Sequence, residues 1–195
     1  MKLNVWLSAA IAASFGFAVF AHSGATGIVK ERMDGMVAMG DAIKTITPMM
    51  RGQVTYFPQD VRAFAEEVRK HSGESMTRLF PEGSGGKPSE AKPTVWTDWE
   101  DFQELADQLH LLSEGLVEAA DNGLAVRTGN GNSMMTGGSM MGGQSMMGSQ
   151  AMMGAGSMMN DMGIEELAEM PADSVFMMIS QTCSACHTKF RAESK

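Results

Sequence analysis

Apolar residues recur along most of this chain at intervals of three and four, the spacing that places them on one face of an α-helix. The first stripe runs from Val29 to Ile43, and Pro48 is the expected end of its helix. The second begins at Pro58 and continues up to Pro81, with a loop rich in Gly, Ser and Pro after it. Both stripes predict amphipathic helices.

Two further stripes have the same period. The third begins near Thr97 or Asp98, which are suitable helix caps, and ends before Gly123. The fourth begins after Pro171 and reaches almost to the C-terminus. No alternating strand pattern separates the stripes. Four amphipathic helices in this order predict an all-α fold, an antiparallel four-helix bundle.

The N-terminal residues follow a different pattern. Basic Lys2 precedes an apolar run from Val5 to Phe20, and small residues begin at Ala21. This order is typical of a secretory signal cleaved after Ala21. An uncleaved anchor is the alternative, but two serines and a glycine interrupt the run and no stop-transfer charges follow it. We therefore expect residues 1–21 to be removed, leaving an exported, periplasmic protein without a stable membrane span.

A methionine-rich tract separates the third and fourth predicted helices. The pair Met-Met recurs every six residues from 134–135 to 158–159, among Gly, Ser, Gln, Thr and Ala. This period fits neither helix nor strand, and frequent Gly disfavours a helix. We predict a flexible insertion at 133–162, between three bundle helices in 22–132 and a C-terminal helical segment in 163–195.

Three interpretations of this tract remain open. Thioether sulfur is a soft ligand that selects Cu(I), so the tract could make the chain a copper-binding protein. Sacrificial oxidation of methionine is a second interpretation. A low-complexity repeat with no specific ligand is the third.

Charge and cysteine content narrow the classes of function. The formal net charge is −8, which argues against nucleic acid or anionic lipid as the main partner and suits a basic redox partner protein. Only two cysteines are present, too few for a disulfide framework or a four-cysteine zinc site. No nucleophile with a base and no paired carboxylates are recognisable, so we do not predict an enzyme.

The motif Cys183-Ser184-Ala185-Cys186-His187 carries the strongest chemical signal. On a helix, Cys186 and His187 follow Cys183 by three and four residues, so two thiols and one imidazole can address a flat macrocycle from one side. Thioether bonds to haem and an imidazole ligand to iron are the chemistry of this motif. A thioredoxin-like pair would follow a strand, and zinc would need two more ligands. We expect one covalent haem c.

Residues 183–191, with the sequence CSACHTKFR close to the C-terminus, resemble the haem end of the class II c-type cytochromes, typified by cytochrome c-prime. Residues 79–84 (LFPEGS) and 91–102 (AKPTVWTDWEDF) agree with this resemblance. So does the first helix, where Arg32 precedes Met36 by one turn. The resemblance extends from about residue 28 to the end, apart from the methionine-rich tract.

The resemblance implies a four-helix bundle and a role for each site residue. It makes His187 the proximal iron ligand and places Arg191 beside the proximal haem face. It places Met36 over the distal face and Arg32 near a haem propionate. Met33 and Met39 are nearby alternatives to Met36, and plain core packing is the alternative role for all three.

The distal side then decides the function. If the Met36 sulfur ligates iron, the haem is six-coordinate and suited to electron transfer. If Met36 only packs over the iron, the haem is five-coordinate and open to NO or CO; both kinds occur among the proteins this chain resembles. We predict a monohaem electron carrier, with gas binding as the alternative. Related bundles often pair through their first two helices, so a homodimer is an interpretation to test.

Overall fold

The computed structural model describes residues 24–125 and 162–192, and within these ranges the chain is helical, with a single isolated β-bridge and no strands. The predicted signal segment lies outside the described residues. So does the methionine-rich insertion except its last residue, Met162, and with it the copper interpretation. The α-helices are α1 (Gly27–Met50), α2 (Pro58–Lys70), α3 (Glu74–Thr77), α4 (Thr94–Thr97), α5 (Trp99–Ala119), α6 (Ile164–Ala168) and α7 (Ala172–Phe190), and a 3₁₀ turn, Ala120–Asn122, follows α5.

The four long helices, α1, α2, α5 and α7, form the predicted antiparallel four-helix bundle. Helix α5 makes the most extensive contacts, with α2 on one side and α7 on the other. The core consists of the apolar stripes, and Val61, Leu116 and Ile179 are completely buried in it. Burying a side chain of this size contributes about 1.5–3 kcal/mol, so the stripes supply the main force that holds the helices together.

The first helix runs further than its sequence predicts. Pro48 lies inside α1, which ends at Met50. A proline removes one backbone donor, and this loss is tolerable here because Met49 and Met50 are buried and hold the last turn against the core. The prediction that Pro48 ends the helix was therefore wrong by two residues.

The second predicted helix is divided into α2 and α3. The break lies at Gly73, whose φ of 57° is in the left-handed region that glycine tolerates best. The Gly73 amide leaves the helix and donates to the Ala106 carbonyl of α5 at 2.9 Å. A Cβ here would also approach the side chain of His110 at 3.2 Å. Tertiary contact with α5 thus ends a helix that the apolar pattern alone continues.

The C-terminal segment is also divided. Residues 163–195, predicted as one C-terminal segment whose helix begins after Pro171, contain α7 after this proline and a further short helix, α6, before it. Helix α6 buries Leu167 completely against α5 at Gly115, where a Cβ would come within 2.5 Å of the Leu167 Cβ. The two helices reach this contact only because position 115 carries no side chain. The packing anchors the chain on the far side of the insertion, directly before the helix that carries the cysteine motif.

Candidate haem site

A cavity of about 400 Å³ lies between α1, the start of α5, the segment before α4 and the last turn of α7. Five of the six predicted site residues line it: Arg32, Met36, Cys186, His187 and Arg191. The sixth, Cys183, lies one helical turn before His187 and packs against the neighbouring core. The apolar part of the lining includes Phe80, Val95, Phe102 and Phe190.

Helix α7 supplies both thiols. Cys183 and Cys186 are free cysteines, each half-buried beside the core. Burial raises the pKa of both thiols to about 11, and the neighbouring Cys183 charge adds to the rise at Cys186. Both are therefore protonated at neutral pH, unlike the low-pKa cysteines of redox motifs.

Among the described residues, no group of three His, Cys, Asp or Glu side chains is placed to hold a metal ion.

His187 follows Cys186 at the rim of the cavity. Although its outer side is exposed, burial against the wall lowers the pKa of the imidazole. The positive charge of Arg191 lowers this pKa further, and the Glu90 carboxylate partly opposes the effect. The neutral imidazole that results has a lone pair free for a metal, which is the form that ligates haem iron.

Arg191 lies one turn beyond His187 and is held by a carboxylate. Its Nε donates to Glu90 Oε2 at 2.7 Å, and both residues line the cavity. Both side chains are about half exposed, so the pair contributes little to stability. Its main effect is to hold the guanidinium beside the His187 side of the cavity.

Arg32 has a very different environment. It is only 5 % exposed, and none of the ion pairs among the described residues includes it. Its guanidinium donates to the Leu79 carbonyl at 3.3 Å and to the Ser84 Oγ and carbonyl at 3.2 and 2.6 Å. It also lies 4.6 Å from the centre of the Phe80 ring, and burial lowers its pKa. A buried cation with only neutral partners favours an anion in the cavity.

The α1 side of the cavity is lined by methionine. Met33 and Met36 both face the cavity, together with Val37 and Gly40. Met39 is buried in the bundle core instead, at 6 % exposure. Of the three candidate methionines, Met33 and Met36 therefore lie at the cavity, whereas Met39 does not.

These residues fit a covalently attached haem. Two neutral thiols and an imidazole lie at positions 183, 186 and 187 of one helix, which is the spacing required for two thioether bonds and one iron ligand. The cavity beside them has apolar and aromatic walls, as the porphyrin plane requires. Arg32 would supply a buried cation for a propionate carboxylate. The metal-binding side chains of the cavity are unsuited to zinc, which would need more ligands than this cavity offers.

Sequence reasoning missed several residues that shape the site. Glu90 pairs with Arg191, and Ser84 holds Arg32. Phe80 forms part of the wall and stacks edge-on with Phe102 at 4.8 Å between ring centroids. Ser84 and Phe80 lie in the stretch 79–84 that carried the family resemblance, and Glu90 directly precedes the stretch 91–102. No helical period at these positions identifies a function for an individual residue.

Comparison with known solved structures shows the same fold. A mutant cytochrome c prime from Alcaligenes xylosoxidans in complex with nitric oxide aligns with a TM-score of 0.55 at 18 % identity, covering 86 % of this chain and 94 % of that one. The cytochrome c' of Thermochromatium tepidum aligns with a TM-score of 0.54 at 20 % identity, covering 85 % and 95 %. A carbon monoxide-bound variant from Alcaligenes xylosoxidans gives 0.54 at 19 %, covering 85 % and 94 %.

Sequence comparison identifies the family. No curated protein matches the chain, but the family model described as Cytochrome C' matches residues 27–136. The match ends within the predicted insertion, so the motif that contains Cys183, Cys186 and His187 lies beyond it and is independent support. With more than half of the chain matched and the bundle fold in agreement, the protein belongs to the cytochrome c' family and carries one covalent haem c.

Proposed function

We propose that this protein is a periplasmic electron carrier, with haem attached through Cys183 and Cys186 and with His187 and Met36 as the axial iron ligands. One observation carries the proposal: an imidazole from α7 and a thioether from α1 line the same cavity. When bound, the haem supplies a one-electron couple between ferrous and ferric iron. An imidazole and a thioether are an axial pair that raises the reduction potential.

The chain's own residues prepare this site for electron transfer. The neutral imidazole of His187 needs no deprotonation before it binds iron. Arg32 is already desolvated and already hydrogen-bonded, so it can neutralise a propionate without rearranging. The apolar part of the walls gives a bound haem few polar neighbours and so reduces the reorganisation that accompanies a change of charge.

The proposed location and partners are supported by the sequence. The predicted signal segment supports export to the periplasm, and cytochrome c' proteins are periplasmic. No helix within residues 24–125 and 162–192 is long and apolar enough to cross a membrane. The net charge of −8 supports a redox partner with a basic contact surface. A homodimer through the first two helices remains part of this proposal and is tested by the mass in solution.

Gas binding is the second candidate. Two of the similar solved structures are complexes with nitric oxide and carbon monoxide. Met36 is a flexible, unbranched side chain, so it can pack over the iron without ligating it. A five-coordinate iron would then leave room in the cavity for a small diatomic ligand.

Absorption spectra of the purified protein in both redox states distinguish the candidates. For the carrier, ferric protein shows the band at the red end of the visible range that arises from sulfur–iron ligation. Met36→Ala abolishes this band, whereas Met33→Ala keeps it; Met33 is the matched control because it lines the same cavity. A high-spin spectrum that shifts on adding NO or CO overturns the carrier and supports gas binding. A colourless protein, expressed with a working haem-attachment system, overturns both.

A further inference from the structure

The residue proposed to bind iron lies at a weak point of its helix. His187 is in the last turn of α7, which ends at Phe190. The last four carbonyls of any α-helix have no partner within the helix, and helix ends open more easily than helix centres. An iron ligand in such a turn therefore needs support from outside its own helix.

The structure supplies a donor to each of these four carbonyls. The His187 carbonyl accepts from the amide of Arg191 at 3.1 Å. The Thr188 carbonyl accepts from Lys92 Nζ at 2.9 Å, and the Lys189 carbonyl accepts from Thr94 Oγ1 at 3.2 Å. The Phe190 carbonyl accepts from the amide of Lys92 at 2.8 Å. Three of the four donors thus come from two residues, Lys92 and Thr94, that precede the carbonyls they bind by more than ninety positions.

The same segment also holds the chain after the helix. The amide of Ala192 donates to the Glu90 carbonyl at 2.7 Å, and Ala91 pairs with Arg191 in an antiparallel bridge. The Glu90 carboxylate accepts from Arg191 Nε. We name residues 90–94 the cap segment, because together they satisfy the polar groups at the end of α7 that the helix itself leaves unpaired.

We propose that the cap segment is a positioning device for the iron ligand: Lys92 and Thr94 fix the last turn of α7 and thereby the orientation of the His187 imidazole. The inference rests on the proposed function, because it takes His187 as the ligand. Neither Lys92 nor Thr94 lines the cavity. Both therefore act through the helix backbone, and both are positioning residues rather than ligands.

The test uses the haem-loaded protein and removes one donor at a time. Lys92→Met keeps the length and apolar stem of the side chain, and Thr94→Val keeps its shape. Hydrogen–deuterium exchange of the C-terminal peptide, residues 183–195, should accelerate about fivefold in each variant and more in the double variant, as expected for the loss of one modest hydrogen bond from a helix end. Lys92→Arg retains a donor and should restore slow exchange.

A second measurement reports the ligand itself. The g-value anisotropy of the ferric protein in electron paramagnetic resonance depends on the orientation of the axial imidazole. It should change in Lys92→Met and in Thr94→Val and return in Lys92→Arg. Lys70→Met is the charge-matched control: Lys70 is exposed, lies in the last turn of α2 and has no partner among the described residues. This control should leave both measurements unchanged.

The outcomes separate the two proposals. Haem-loaded variants with wild-type hydrogen exchange and wild-type g-values would overturn the positioning role of the cap segment and leave the proposed function intact. Faster exchange with unchanged g-values also overturns it, because the cap would then be merely structural. Should the double variant fail to accumulate, the two single variants decide. A wild-type protein without covalent haem overturns the proposed function instead, before any variant is made.

Discussion

The two walls of the cavity are built in different ways. The α1 wall presents Met33, Met36 and Val37, side chains that reach the cavity through the apolar stripe of their own helix. The α7 wall presents Cys186 and His187 from a helix end that distant residues hold by hydrogen bonds. Packing is thus sufficient to bring a flexible thioether such as that of Met36 to the cavity. An imidazole that must be held at one angle needs directional bonds as well.

The two arginines of the cavity repeat this contrast. Arg32, on the α1 side, is buried and bound by uncharged oxygen atoms. Arg191, on the α7 side, is about half exposed and paired with the Glu90 carboxylate. A buried guanidinium without a carboxylate favours an incoming anion, whereas an exposed pair is already neutralised. We infer that Arg32 is the stronger anchor for a propionate.

Removing the thiols tests the chemistry of the α7 wall and has the largest expected effect. Cys183→Ser combined with Cys186→Ser should abolish covalent attachment, because a hydroxyl group does not form the thioether. Met36→Ala, in the α1 wall, should leave attachment complete. Extraction with acidified organic solvent measures this: haem should leave the double variant and stay with Met36→Ala. Equal retention in both would show that the cysteines do not hold the haem.

Replacing each arginine tests whether the buried Arg32 contributes more to the free energy of unfolding than the half-exposed Arg191. Arg32→Met should lower the free energy of unfolding by about 2–3 kcal/mol, because it leaves the oxygen atoms of Leu79 and Ser84 without their donor. Arg191→Met should change it by less than about 1 kcal/mol, since its ion pair is exposed. Urea unfolding of the haem-loaded variants at neutral pH measures both values. A larger loss of unfolding free energy in Arg191→Met than in Arg32→Met would contradict this prediction.

Alkylation of the haem-free protein tests the state of the two thiols before attachment. At pH 8 the native thiols should react about tenfold more slowly than in urea, because burial raises their pKa from 9.0 to about 11. The fall in thiolate fraction is about a hundredfold, and the greater nucleophilicity of a more basic thiolate offsets part of it. Iodoacetamide labelling followed by mass spectrometry measures the rates. Equal rates with and without urea would contradict the burial of this wall.

The smallest effect on stability is expected for Tyr56, which lies at the opposite end of the bundle and serves as a reference. Tyr56, the single tyrosine of the chain, donates to the Ala120 carbonyl at 2.6 Å. Ala120 follows Phe102 of the cavity by eighteen residues, or about 27 Å of helix. Burial, and then the charge of Asp121, raises the pKa of Tyr56 above its ordinary value of 10.0. The folded state therefore holds this proton more tightly than the unfolded state.

The sign of the pH effect follows from that difference. The contribution of Tyr56 is complete below pH 10 and declines as the pH rises from there towards the raised value in the folded protein. Tyr56→Phe should thus be less stable than wild type at pH 7, and the gap should narrow above pH 10. Urea midpoints from pH 7 to 11 measure it, and the absorption spectrum of the haem should not change. A gap that widens with pH would contradict this prediction.

Local patterns were sufficient for the helices and for the haem motif, because both depend on spacing within a few residues. The period of the apolar stripes predicted the four long helices, and α7 begins at Ala172, directly after Pro171 as predicted. The same patterns failed at Pro48 and at Gly73. In each case a tertiary contact, the burial of Met49 or the bond to Ala106, outweighed the local preference.

The chemistry of the site can be predicted from local spacing: Cys183, Cys186 and His187 share one helix turn, and a spacing of three and four residues is a local property of the chain. The methionines that face the cavity, the oxygen atoms that bind Arg32 and the residues that cap the end of α7 depend on how the helices pack. In the cap, the side chain of Lys92 donates a hydrogen bond to the backbone carbonyl of Thr188, 96 positions later. Every residue has such a carbonyl. A bond of this kind leaves no mark in the sequence, because it depends on where the chain folds back rather than on side chains that a motif could display.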